Sequence, residues 1–273
     1  LDIFRQLGSA VVAFSGGVDS ALLAQAAYTA LGEQAVALTA DSASLKRREL
    51  EDARRLTEQI GIRWQLLATH ELEDPNYASN PLNRCYFCKS ETFSVLAERA
   101  VALGIRWLCY GENRDDQGDH RPGAQAAAEF GVRAPLKEAG LGKAEIRALA
   151  RQFNLPVWDK PAAACLSSRF PYGVQITPEK LAQVEASEDL LWELGLRDCR
   201  VRYHAEIARI ETPLEAMPRA LEHANQISAG LRALGFKYVT LDLAGYRRGS
   251  LNEGLLQIET GQTPAVQAAG EAA

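Results

Sequence analysis

The chain has 273 residues, 47% of them hydrophobic and 24% charged, with a formal net charge of −5. That balance is ordinary for a globular protein of one large domain or two smaller ones, and it speaks against a protein that coats nucleic acid. No apolar run reaches the roughly 20 residues of a membrane-spanning helix, and no basic stretch with an apolar core opens the chain, so the expected setting is the cytoplasm, away from membranes. There, five cysteines are expected as thiols or metal ligands rather than disulfides.

Leu1 to Leu7 reads as a short helix, and Ala10-Val11-Val12-Ala13-Phe14 as a buried parallel strand. Ser15-Gly16-Gly17-Val18-Asp19-Ser20 then turns into a helix that ends near Gly32. Glycines at a strand-to-helix turn let backbone N–H groups point inward, and the new helix adds unpaired donors and the positive end of its dipole, which together make an anion cradle. A serine cap before a plain turn would carry part of the same pattern. Neither Gly-Lys-Ser/Thr nor Gly-x-Gly-x-x-Gly is present. Ser-Gly-Gly-x-Asp-Ser instead resembles the PP-loop of the ATP pyrophosphatases, which cleave ATP between its α and β phosphates. That resemblance implies that Ser15, Gly16, Gly17 and Ser20 hold pyrophosphate, and that Asp19 helps bind Mg²⁺.

Ala35 to Ala40 predicts a second strand, Ser44 to Ile60 an amphipathic helix closed by Gly61, and Arg63 to Thr69 a third strand. A helix from Lys89 to Leu103 follows, then strands at Trp107–Gly111 and Val132–Leu136. This alternation predicts an α/β fold, a doubly wound, five-stranded parallel sheet, and the resemblance of the loop implies the PP-loop type. Ligands in such sheets bind at the carboxyl ends of the strands. There the chain offers the glycine loop, Thr39-Ala40-Asp41-Ser42 to border adenosine, and Gly111-Glu112-Asn113-Arg114-Asp115-Asp116 for nucleotide, Mg²⁺ or substrate. Asn and Asp also favour turns for purely local reasons.

Asn83-Arg84-Cys85-Tyr86-Phe87-Cys88-Lys89 puts two thiols just ahead of the predicted helix, where its dipole is expected to lower their pKa and favour ligation. A third thiol sits in the stretch from Pro161 to Gly173, where Cys165 is followed by Ser167, Ser168 and Arg169 in a crowded, anion-binding turn; a thiol there is a candidate nucleophile. Cys109 and Cys199 fall in predicted strands and read as packing residues. Three thiols are one short of a closed zinc site, and none of His70, His120, His204 and His223 has ligand spacing to them. A [4Fe–4S] cluster on three cysteines fits the count and leaves one iron open to an external ligand such as sulfide.

From Thr177-Pro178-Glu179 a helix to Leu194, strands at Arg200–His204 and Ile207–Glu211, a helix over Leu214–Leu234 and a strand at Tyr238–Leu243 predict a smaller α+β domain. Expected domains are therefore residues 1–173 and 174–262, with residues 263–273 a disordered tail. Arg200 and Arg202 share a strand face and suit a phosphate, though paired surface arginines need no ligand.

Ser15–Ser20, Arg84–Lys89, Gly111–Asp116, Trp158–Pro161 and Ala164–Gly173 together resemble the LarE family of ATP-dependent sulfur transferases, which serve nickel-pincer nucleotide synthesis. The resemblance implies a substrate, pyridinium-3,5-biscarboxylic acid mononucleotide, whose carboxylates are adenylylated by Mg²⁺-ATP and converted to thiocarboxylates. It implies ATP contacts at Ser15, Gly16, Gly17, Asp19, Ser20, Thr39, Asp41, Gly111 and Asn113, and substrate contacts at Arg84, Asp115, Asp116, Ser168, Arg169, Arg200 and Arg202. Some members sacrifice the sulfur of one cysteine, matching Cys165; others hold a [4Fe–4S] cluster on three, matching Cys85, Cys88 and Cys165, which is the type this chain resembles. A sulfide supply and an assembly of identical subunits are implied as well. The rival readings are a tRNA-thiolating enzyme, an amidating synthetase and a nucleotide-binding protein without catalysis.

Overall fold

The computed structural model describes residues 1–116, 122–161 and 164–247, and the expected tail lies outside them. The chain divides into two units, residues 1–185 and 186–273.

In the first unit the elements run α1 (Asp2–Leu7), β1 (Ala10–Ala13), α2 (Val18–Leu31), β2 (Ala35–Asp41), α3 (Arg47–Ile60), β3 (Arg63–Ala68) and the one-turn α4 (Pro75–Ala78). They continue with α5 (Arg84–Ala102), β4 (Leu108–Cys109), α6 (Pro122–Glu129), the one-turn α7 (Pro135–Glu138) and α8 (Lys143–Gln152). The four strands are parallel, in the order β3-β2-β1-β4. Alternation along the strands divides the core between the two faces. Ala10, Val12, Ala35 and Ala37 pack with Phe4, Leu22, Leu23, Leu56, Ile60 and Ile146. Val11, Val36 and Leu38 pack with Phe93, Leu96 and Ala100 of α5 and Ala126 of α6. Helices thus cover both faces, and the apolar runs of β1 and β2 reflect two-sided burial.

Two expectations are corrected here. The fifth strand is reduced to one parallel bridge between Arg133 and Cys109, with the Arg133 amide donating to Leu108 O at 2.8 Å and the Tyr110 amide to Arg133 O at 2.9 Å. Pro135 has no N–H to extend that ladder and opens α7 instead. The helix expected from Lys89 begins at Arg84, so Cys85 and Cys88 stand on its first turns, three residues apart on one helical face, rather than in a loop.

α9 (Pro178–Glu193) carries the chain into the second unit, which contains β5 (Arg200–His204), β6 (Ile207–Glu211), α10 (Met217–Glu222), α11 (Ala224–Ala233) and β7 (Tyr238–Leu241). β5 and β6 are antiparallel, β6 and β7 parallel. The long helix expected over Leu214–Leu234 is interrupted at His223, whose backbone leaves helical geometry, and its first residues form a 3₁₀ turn ahead of Pro218. Leu191, Val201, Ile210, Ile227, Leu231 and Phe236 form this unit's own core. No described helix is long and apolar enough to cross a membrane.

Candidate active site

In the sheet of the first unit, β1 is followed on one side by β2 and β3 and on the other by β4, so the strand order reverses beside β1. The loop Phe14–Gly17 leaves β1 at that switch point, where an open α/β sheet leaves a crevice for ligands. Gly16 has φ +72°, and a Cβ on it would stand 3.0 Å from the Cβ of Ala53. Glycine therefore meets both a left-handed backbone and a close approach of α3. Ser20, buried, holds the turn: its hydroxyl donates to Gly17 O at 3.1 Å and accepts from the Ser15 amide at 3.2 Å. The Ser15 and Ser20 hydroxyls are 3.2 Å apart.

The end of β4 closes over the start of α2. A Cβ at Gly111 would stand 3.1 Å from both Asp19 Cβ and the Ser20 amide nitrogen, so any side chain here would press the start of α2 away. Two residues on, the buried Asn113 reaches Asp19 Oδ1 with its amide at 3.4 Å. Asn113 also accepts from the Asp115 amide, while its own amide donates to Asp116 Oδ2, each at 3.0 Å. The acidic cluster is thus partly a self-bonded turn, and Asp115 Oδ2 accepts from the Lys143 amide at 2.7 Å. Lys143 Nζ stands 2.5 Å from Asp19 Oδ2. This lysine was missed in the sequence because no helix was expected over Lys143–Gln152, although Gly142, Lys143 and Glu145 before an apolar-periodic run carry a helix-start signal.

Of the β2 candidates, Thr39 is buried, its hydroxyl donating to Phe14 O at 2.7 Å and accepting from Trp64 Nε1 at 2.9 Å. That ties β2 to the loop. Asp41, at the end of the strand, pairs with Arg47 at 2.5 Å.

The third cysteine reaches the carboxyl edge of the sheet through the Leu166 amide, which donates to Ser44 O at 2.9 Å. Arg169, 1% exposed, braces the turn from inside, its Nη1 donating to Ala164 O at 2.7 Å, to Cys165 O at 3.1 Å and to Ser168 Oγ at 2.9 Å. The segment is fastened to α5 through Asn80, whose side-chain amide donates to Pro171 O at 2.8 Å and whose Oδ1 accepts from Arg84 Nη1 at 2.7 Å. Arg84 is buried, with its guanidinium 4.9 Å from the centre of the Tyr172 ring.

These ties bring Cys165 to Cys85 and Cys88. Cys85 and Cys165 are exposed and Cys88 half-buried. Protein packed around the Cys85 sulfur desolvates its thiolate and pushes the pKa up, even though the residue presents surface to solvent, and the charge of Cys165 adds to the rise against Arg84 and Lys89. Desolvation pushes Cys88 up to about 12; Lys89 opposes it, and Cys165, Glu71 and Cys85 reinforce it. The dipole argument predicted a lowering, and it is corrected: desolvation, with the charge of neighbouring thiolates, sets the direction for both. Burial raises the Tyr77 phenol too, with Cys165 and Cys88 adding to the effect. Each of the three sulfurs is therefore close enough for its charge to be felt by another. Among the described residues, no three or more His, Cys, Asp or Glu side chains form a group able to hold a metal ion. Cys109 and Cys199 are buried as expected.

In the second unit, Arg202 is turned inward. Its Nε and Nη2 both meet Glu211 Oε2, at 2.9 and 2.7 Å, and Glu211 Oε1 accepts from Arg209 at 3.0 Å. Arg200 is less buried and lies 5.2 Å from the centre of the Tyr246 ring.

A glycine-rich anion loop at the switch point of a parallel sheet, with an acidic residue at the head of the following helix, defines an ATP pyrophosphatase of the PP-loop class. The family model described as NAD synthase matches residues 5–79, the stretch from α1 through this loop to α4. Pyridinium-3,5-bisthiocarboxylic acid mononucleotide synthase of Lactiplantibacillus plantarum is 38% identical over 93% of this chain and 93% of its own, and the chain belongs to that enzyme's family, LarE. An uncharacterised Synechocystis protein is 49% identical over 91% of this chain and 94% of its own. By contrast, NH₃-dependent NAD⁺ synthetase of Chlorobaculum tepidum is 33% identical over only 27% of each chain.

Proposed function

We propose that this protein is a cytoplasmic, homo-oligomeric sulfur transferase that adenylylates the carboxylates of pyridinium-3,5-biscarboxylic acid mononucleotide and replaces AMP with sulfur. A substrate carboxylate oxygen attacks the α-phosphorus, the bond to the β-phosphate oxygen breaks, and pyrophosphate leaves. Sulfur then attacks the acyl carbon, the bond to AMP breaks, and a thiocarboxylate remains. Adenylylation is required because a carboxylate oxygen is a poor leaving group and AMP a good one.

Within this reading, Ser15, Gly16, Gly17 and Ser20 receive the leaving pyrophosphate, with Thr39, Asp41, Gly111 and Asn113 around the nucleotide. Mg²⁺ on Asp19 would neutralise charge developing on the phosphates. Arg84, Asp115, Asp116, Ser168, Arg169, Arg200 and Arg202 are assigned to the substrate; Arg84, Arg169 and Arg202 serve it indirectly, since each is buried in contacts with the protein. Cys85, Cys88 and Cys165 are the ligands proposed for the [4Fe–4S] cluster. What supports them is their chemistry and mutual approach: three soft thiols from two segments, near enough for the charge of one to be felt by another. When bound, such a cluster would supply sulfide at its open iron, recharged from a cellular sulfide source.

The observation that carries this reading is the fastening of the Cys165 turn, through Ser44 and Asn80, to the same sheet edge and to the cysteine-bearing α5. The match to the family model described as NAD synthase ends at residue 79, ahead of Cys85, and the NAD⁺ synthetase relative covers only 27% of the chain, which favours shared ATP chemistry over amidation. The test is ATP–pyrophosphate exchange with the pyridinium dicarboxylate mononucleotide present or absent, followed by mass spectrometry of the product. Exchange that needs the dicarboxylate, with thiocarboxylate formed, is expected. Exchange that responds to tRNA or to an ammonia donor instead would overturn the assignment. Cys165→Ala is expected to keep exchange and lose the thiocarboxylate, and after anaerobic reconstitution both it and Cys85→Ala should hold less iron than the unaltered protein.

A further inference from the structure

We infer that Lys143 is a cation held in store for the phosphates: it neutralises Asp19 while the nucleotide site is empty, and passes to the pyrophosphate portion of ATP when a divalent metal takes the carboxylate. This rests on the nucleotide reading of the loop and adds to it a residue and an order of events.

The geometry begins with the backbone. Lys143 is the first residue of α8, and its main chain is immobilised, the amide donating to Asp115 Oδ2 at 2.7 Å and the neighbouring Leu141 O accepting from the Arg114 amide at 2.8 Å. Ile146 and Ala150 of α8 are fully buried in the core that also holds Leu22 and Leu23 of α2. The helix that carries the lysine is therefore fixed against the helix that carries Asp19. The ammonium has no such confinement: it sits on a flexible four-carbon stem, and its side chain is 34% exposed where the Asp19 carboxylate is 23% exposed.

Nζ lies 2.5 Å from Asp19 Oδ2, while Oδ1 faces the more distant amide of Asn113 at 3.4 Å. A divalent cation on either oxygen of this carboxylate would stand within a few ångströms of the ammonium, and two cations at that separation repel. Metal binding to Asp19 therefore favours departure of the ammonium. Asp19 is the second residue of α2, whose first amides have no acceptor within the helix and are where an anion would seat, so phosphate there offers the displaced ammonium a nearby counter-charge. The consequence is an ordered exchange: metal alone competes with Lys143, whereas metal together with the phosphate chain recruits it. Because no covalent bond changes, the exchange involves only charge pairing.

The experiment uses the full-length protein, Lys143→Met and Lys143→Arg, with folding checked by thermal melting. Free Mn²⁺ binding is measured by electron paramagnetic resonance, and binding of the Mg²⁺ complex of α,β-methylene-ATP by calorimetry. Lys143→Met is expected to bind free Mn²⁺ several-fold more tightly and the nucleotide complex at least about tenfold more weakly, with Lys143→Arg recovering part of the nucleotide affinity. Opposite signs for the two ligands are the signature of the exchange. If both affinities fall together, Lys143 only shapes the site and the inference fails; it fails equally if Mn²⁺ binds more tightly while nucleotide affinity is unchanged, or if neither moves. Absence of nucleotide binding by the unaltered protein would instead overturn the nucleotide reading, and the exchange with it.

Discussion

The Tyr77 hydroxyl lies 2.6 Å from Ser167 Oγ, both residues almost fully buried, so α4 and the turn after Cys165 share a hydrogen bond across 90 residues of chain. Tyr77→Phe removes one partner and keeps the ring. The expected cost is about 1–2 kcal/mol, because a buried hydroxyl loses its mate. Urea unfolding should show it as a lowered midpoint at unchanged slope, and an unchanged midpoint would mean that Ser167 re-pairs without loss.

Gly16→Ala tests the cradle. The left-handed backbone costs an alanine about 1 kcal/mol, and the 3.0 Å approach to Ala53 adds to it. Calorimetric melting should fall by several degrees, with nucleotide binding weakened further because the amides no longer point inward.

Glu211 offers the largest single effect. Its carboxylate is 1% exposed and accepts from Arg202 and Arg209, so Glu211→Gln takes a counter-charge away from a buried guanidinium, at a cost of up to about 3–5 kcal/mol. Chemical denaturation should register that loss. The double variant with Arg202→Met should regain part of it, since the guanidinium that Glu211 faced is removed as well.

Thiol counting separates the five cysteines without any assay of function. Cys85 and Cys165 are exposed and should react with a disulfide reagent in the native, metal-free protein. Cys109, whose thiol burial pushes up to about 12, and Cys199 should react only after denaturation. Four or five fast thiols in the native state would contradict the packing described for β4 and β5.

Local pattern in the sequence was enough for most of the elements and for the loop, because these depend on short-range rules: apolar runs for buried strands, glycine for a turn into a helix, proline at a first helical turn. Strand bounds for β5 and β6 are those expected, and the switch point follows from the alternation of strand and helix. What pairs across long separations was not legible there. Asp19 and Lys143 are 124 positions apart, and no periodicity links them. Arg202 reads as half of a phosphate-binding pair with Arg200, and its bond to Glu211 is seen only when the register of β5 on β6 brings that carboxylate within reach. The direction of the cysteine shifts was misjudged for the same reason: a helix end is visible in sequence, but the protein packed around a sulfur, and the second thiol nearby, exist only once the chain has folded. Residue types and spacing thus determined which chemistry the chain carries, whereas desolvation and charge pairing, which depend on distance in space, were decided by the tertiary structure alone.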